Sequence, residues 1–175
     1  NVGDFKLQPE KKESPKEENI QKMVHAFKNA HKEIPVYTDV GFKKDKLDES
    51  LHQKILTFYQ ENSASLQIEN VAGGYIETDA EGSASHTIEM PNDLRDEVHQ
   101  SLLNKAEDWS GIRLLPTYVY GVRIYNRGAI LKPHRDREET HIIGVIINID
   151  QKVDEPWALE IDDHHRNNHE IFLSP

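Results

Sequence analysis

Apolar residues recur along this chain with two periods, helical up to Gly111 and strand-like from Tyr118 onward. Ile20, Met23, Val24 and Phe27 fall at i, i+3, i+4 and i+7. That spacing gives one apolar helix face and predicts a helix from about Glu17 to His31, ending before Pro35. Leu47, Leu51, Ile55, Phe58 and Tyr59 form a second stripe, over a helix from about Asp45 to Asn62. A third helix starts at Pro91-Asn92-Asp93 and carries Leu94, Val98, Leu102, Ala106 and Trp109 on one side. Asn92 or Asp93 is placed to accept from the open N–H groups of its first turn, and Ser110-Gly111 ends it. Tyr37 to Phe42 reads as a short strand. Ser63 to Ser85 reads as loop, with Gly73-Gly74 and Glu81-Gly82-Ser83 as turn signals around a short strand near Tyr75 to Thr78.

From Tyr118 the pattern alternates. Tyr118, Tyr120, Val122 and Ile124 share one face, and Val119, Gly121, Arg123 and Tyr125 the other. Asn126-Arg127-Gly128 is a turn, and Ala129 to Leu131 leads on to Pro133. Ile142 to Ile149 is β-branched and apolar on both faces, which predicts a central buried strand. Trp157, Leu159 and Ile161 alternate as another strand. Asp162 to Asn168 is a hairpin loop, and His169 to Leu173 starts the returning strand. Helices first and strands afterwards place the chain in the α+β class.

Charge divides the chain differently. Residues 1–50 hold ten basic and ten acidic side chains, so the net charge of −10 resides in residues 51–175. An acidic globular half argues against a nucleic-acid partner. Residues 1–19 are nearly all polar and charged around Glu10 to Glu18, which predicts a flexible arm preceding one domain over residues 20–175. That arm is either a solvated leader or a docking element for a larger assembly. The 175 residues include no cysteine, which excludes disulfides, thiolate metal sites and cysteine nucleophiles. No apolar run approaches the ~20 residues of a membrane span. Asn1 in place of a methionine points to processing or to a partial chain, which leaves the compartment of this soluble chain open, an organelle or secretory lumen among the options.

One spacing suggests chemistry, His134-Arg135-Asp136. On a strand, i and i+2 share a face, so an imidazole and a carboxylate would stand side by side. These are two of the three ligands of a 2-His-1-carboxylate site for Fe(II). The plain alternative is a polar pair in a loop. His164, His165 and His169 with Asp162 and Asp163 match no metal-ligand spacing and read as a solvated hairpin tip. His141 is a poor candidate for a further ligand.

The stretch Y-G-V-R-I-Y-N-R-G-A-I-L-K-P-H-R-D, followed by H-I-I-G-V-I-I-N-I-D-Q-K-V-D-E-P-W-A-L-E-I, resembles the prolyl 4-hydroxylase-like branch of the 2-oxoglutarate- and Fe(II)-dependent dioxygenases. Glu107-Asp108-Trp109-Ser110-Gly111 is similar to that branch as well. The resemblance runs from Tyr37 to Pro175 and is clearest from Trp109. It implies a double-stranded β-helix (jelly-roll) core braced by N-terminal helices. His134 and Asp136 match the iron ligands. Tyr125, nine residues before His134, matches the tyrosine that contacts 2-oxoglutarate, and Gly128 matches the glycine of the intervening turn. The implied cofactors are Fe(II) and 2-oxoglutarate, with ascorbate as accompanying reductant, and the implied substrate is a peptide or protein hydroxylated at prolyl or related residues.

Two departures accompany the match. Leu131 stands where the branch often has a second tyrosine. The strand with the second histidine ligand, and the basic residue for the 2-oxoglutarate carboxylate, are expected beyond Leu173-Ser174-Pro175, so the domain is expected to be incomplete at its C-terminus. The competing expectation is a catalytically inactive jelly roll that serves as an interaction subunit.

Overall fold

A computed structural model describes residues 36–71, 73–136 and 141–175. Within them helix α1 spans Glu49–Asn62 and helix α2 spans Asn92–Ser110. Seven short strands complete the order: β1 (Gln67–Ile68), β2 (Ile76–Thr78) and β3 (Ser85–Ile88) between the helices, then β4 (Val122–Tyr125), β5 (Ala129–Leu131), β6 (Leu159–Asp162) and β7 (Asn168–Ile171). The charged arm and the helix expected over Glu17 to His31 lie outside the described residues.

Helix α1 begins at Glu49, later than the expected Asp45, because Asp48 is its cap. The Asp48 carboxylate accepts from the N–H groups of Ser50 at 3.0 Å and Leu51 at 3.2 Å. Asp45 is committed elsewhere, to Lys46 N and the Lys43 ammonium. The expected stripe on α1 is the one buried: Leu51 and Ile55 are 2% and 1% exposed.

Helix α2 ends as expected. Gly111 takes a left-handed φ of 70°, and its N–H reaches Glu107 O at 2.8 Å. Its start corrects the sequence reading. Pro91 is the cap residue, and no side chain caps the helix. Asn92 and Asp93 already lie inside the first turn. Pro91 lacks an N–H and holds a fixed φ, which suits a helix entrance.

Both helices pack on one face of an antiparallel sheet of order β1-β3-β4. Its register pairs Ser85 with Tyr125 and Ile88 with Val122. Ile88, Met90 and Val122 join Leu51, Ile55 and Val98 in the core, and Leu94, Leu102, Phe58, Tyr59 and Ile124 pack around them. Burial of this apolar area is the main stabilising term. β2 pairs with β5, and β6 with β7, as two further antiparallel sheets. The fold is α+β, in three separate small sheets.

Several strand expectations need correction. Tyr118 to Tyr125 is strand only from Val122. Gly121, at φ +95°, turns the chain so close to β3 that a Cβ there would lie 2.3 Å from the Ile88 carbonyl oxygen. Tyr37 to Phe42 is a bent loop. Strands β1 and β3 fall within or beside a stretch read as loop; β3 has Ile88 as its one large apolar residue, too little for an alternation to show.

Ile142 to Ile149 is not a buried strand. It forms no ladder among the described residues, and Ile142, Val145 and Ile146 are 56%, 53% and 65% exposed. Ile147 and Ile149 do pack against the helical core, and His52 Nε2 donates to Ile149 O at 3.1 Å. The segment is therefore anchored on one side, without a neighbouring strand to complete its burial. No helix among the described residues is long and apolar enough to cross a membrane.

Candidate functional site

β5 delivers the His134–Asp136 pair. Gly128, at φ +78°, closes the turn after β4, and Ala129 N donates to Asn126 O at 3.0 Å. β5 then pairs with β2 through Ile76 and Leu131, and Lys132 N adds a bond to Tyr75 O at 2.8 Å. Pro133 has no N–H to continue the ladder. His134 and Asp136 consequently lie in the loop that follows β5, not on a strand as the spacing suggested.

The loop still holds the two side chains close. His134 Nδ1 is 2.8 Å from Lys132 O. A carbonyl can only accept, so Nδ1 carries a proton, and in the neutral ring the lone pair is on Nε2. A backbone carbonyl holding one ring nitrogen is the usual way a ligating histidine is oriented. The Tyr75 ring lies 5.0 Å from the imidazole, at 33° between planes, and restricts its rotation. Asp136 Oδ1 stands 3.8 Å from His134 Nε2, too far for a hydrogen bond and near enough for both atoms to reach one cation. The other carboxylate oxygen faces Gly144, where a Cβ would stand 3.5 Å away. The His134 side chain is 27% exposed and the Asp136 side chain 58%, so the pair is open to a ligand from solvent.

Tyr125 sits on a different sheet, in β4. Its ring meets Trp157 edge-on at 5.4 Å, which links β4 to the approach to β6. Arg123 shares its face, two residues back. The Arg123 fork binds Glu69, with Nε–Oε2 at 2.8 Å and Nη2–Oε1 at 2.6 Å, and the buried Ser85 hydroxyl donates to the same carboxylate. Burial works against the Arg123 charge, but the side chains of Glu69 and Tyr125 outweigh it and raise the guanidinium pKa above its ordinary value. A cleft of about 320 Å³ runs along this face, bounded by Thr87, Arg95, Tyr118, Tyr120 and Arg123. Tyr118 and Tyr120 touch at 4.5 Å, and Tyr120 stacks on His141, its hydroxyl 3.3 Å from His141 Nε2.

The histidines near the C-terminal hairpin have a structural role. Asp163 accepts from His165 N, Asn167 N, Asn167 Nδ2 and His169 Nε2, all at 2.8–2.9 Å. His169 also packs its ring on Phe42. These bonds build the hairpin tip that the composition predicted. Among the described residues no group of three or more His, Cys, Asp or Glu side chains converges as a metal site. The pair itself was visible in the sequence because its members are two residues apart. Tyr75 and Trp157 were not, because chain pairing alone brings them in; the one available signal for Tyr75 was its place beside the predicted strand Tyr75 to Thr78. No family model, curated protein or solved structure matches this chain.

Proposed function

We propose that the domain is an Fe(II)- and 2-oxoglutarate-dependent dioxygenase that hydroxylates prolyl or related residues of a peptide, with His134 and Asp136 as two of its iron ligands. The observation that carries this reading is the oriented pair, Nε2 and Oδ1 3.8 Å apart with the imidazole proton committed to Lys132 O. One neutral imidazole and one carboxylate suit ferrous iron, and this reading requires a third protein ligand, which no converging group among the described residues supplies. When bound, iron with 2-oxoglutarate supplies the activation of O2 that hydroxylation needs. The chain's own residues orient the ligands. Lys132 O fixes the His134 tautomer, and Tyr75 limits its rotation. Tyr125 offers a hydroxyl to the co-substrate, and the cleft beside Tyr118 and Tyr120 gives an extended peptide an aromatic wall. A jelly roll is the architecture this reading requires. What supports it is limited to antiparallel pairing in every sheet and the packing of Val122, Ile124, Ile147 and Ile149 toward the helices.

The test is Fe(II) binding and conversion of 2-oxoglutarate to succinate, compared between the parent protein and His134→Ala. The expected outcome is loss of iron-dependent turnover with the fold retained, because the apolar core does not include His134. Succinate formation unchanged in the variant would sink the assignment. A parent protein that binds no Fe(II) would leave the interaction subunit as the reading to pursue.

A further inference from the structure

The loop over residues 37–43 is tied down at several points. Gly41 N donates to Thr38 Oγ1 at 3.1 Å, and His164 N donates to Val40 O at 3.1 Å. The Phe42 ring lies 5.0 Å from that of His169. Gly41, at φ +98°, lets the His164 ring come so near that a Cβ would stand 2.9 Å from Nε2. With Trp109 from the end of α2, this loop borders an open cleft of about 380 Å³ lined by Tyr37, Phe42 and Trp109. Asp39 and Lys43 supply its charge.

Those two charges are not equivalent. The Lys43 ammonium is drawn to Asp45 at 3.1 Å. Asp39 forms no hydrogen bond or ion pair with the described residues and is left to face a ligand. Three aromatic side chains and an uncommitted carboxylate together favour an organic cation. They favour an alkylated one, because a bare ammonium loses more hydration on entering an aromatic site. We propose that this cleft binds an alkylated ammonium group, of the kind carried by choline or by a trimethyllysine side chain. The site stands independently of the iron reading.

The experiment is a heteronuclear NMR titration of the full chain, followed at the indole N–H signals of Trp109 and Trp157, which are told apart with Trp157→Phe. The probes are choline, its neutral carbon isostere and a trimethyllysine peptide. Choline should shift the Trp109 signal saturably and leave that of Trp157 in place. The neutral isostere, and choline with the exposed Asp39→Asn variant, should each bind about tenfold more weakly. Tighter binding of the peptide than of choline identifies a protein side chain as the ligand, and the reverse order a small amine; either order supports the site. A neutral isostere that shifts Trp109 as strongly as choline, or a titration without saturation, would overturn it.

Discussion

Four hydrogen bonds converge on the Asp163 carboxylate, and its side chain is only 5% exposed. The hydrogen bond from His169, then that from Asn167, holds its pKa far below the ordinary 3.8. A depressed carboxylate pKa contributes stability that is complete above the unfolded value and is lost as pH falls through the folded one. Asp163→Ala should therefore lower the Tm at neutral pH, and its gap from the parent should narrow as pH drops below about 3.8. Thermal melts across that range check both halves, and a gap independent of pH would refute the electrostatic part. At this scale, the sequence marked which residues cluster but not what they do. The same Asp and His types form the proposed ligand pair at Asp136 and a closed turn at Asp163. The difference lies in bonds made by Lys132 O and Asn167, which composition does not display.

At the scale of elements, the helices were legible because each buries a stripe of its own, repeated over several turns. Ile55 is the most buried member of the α1 stripe. Ile55→Ala should cost about 2–5 kcal/mol, read as a lower urea midpoint at unchanged slope. The short strands were less legible, since a strand of three or four residues shows little alternation and owes its existence to a distant partner. Gly121 illustrates the point. Its turn exists because β3 passes beneath it, and nothing between Tyr118 and Tyr125 announces that contact. Gly121→Ala meets both a positive φ and the Ile88 carbonyl, and it should destabilise by more than about 1 kcal/mol. Denaturant titration measures this, and a neutral result would mean that β4 can shift its register on β3.

Across the whole molecule, the boundary between order by packing and order by pairing falls at Ile142 to Ile149. The apolar run led to an expectation of deep burial, but burial of both faces needs strands on both sides. Among the described residues the run has the helices on one side only. Hydrogen exchange should be fast through this segment and slow through β3 and β4, where ladder bonds and core packing coincide. Ile146→Lys should change stability by no more than about 0.5 kcal/mol, since its side chain is 65% exposed. A loss of several kcal/mol would place Ile146 in a buried strand after all.

The same segment has a colloidal consequence. A run of β-branched residues that joins no ladder among the described residues is a template on which a second molecule can pair its own backbone. What keeps two molecules apart is their shared charge of −10. That repulsion reaches about 10 Å in 0.1 M salt and only about 3 Å in 1 M. Turbidity at fixed protein concentration should accordingly climb with added salt, and Ile146→Lys, which places a cation on the adhesive edge, should delay it.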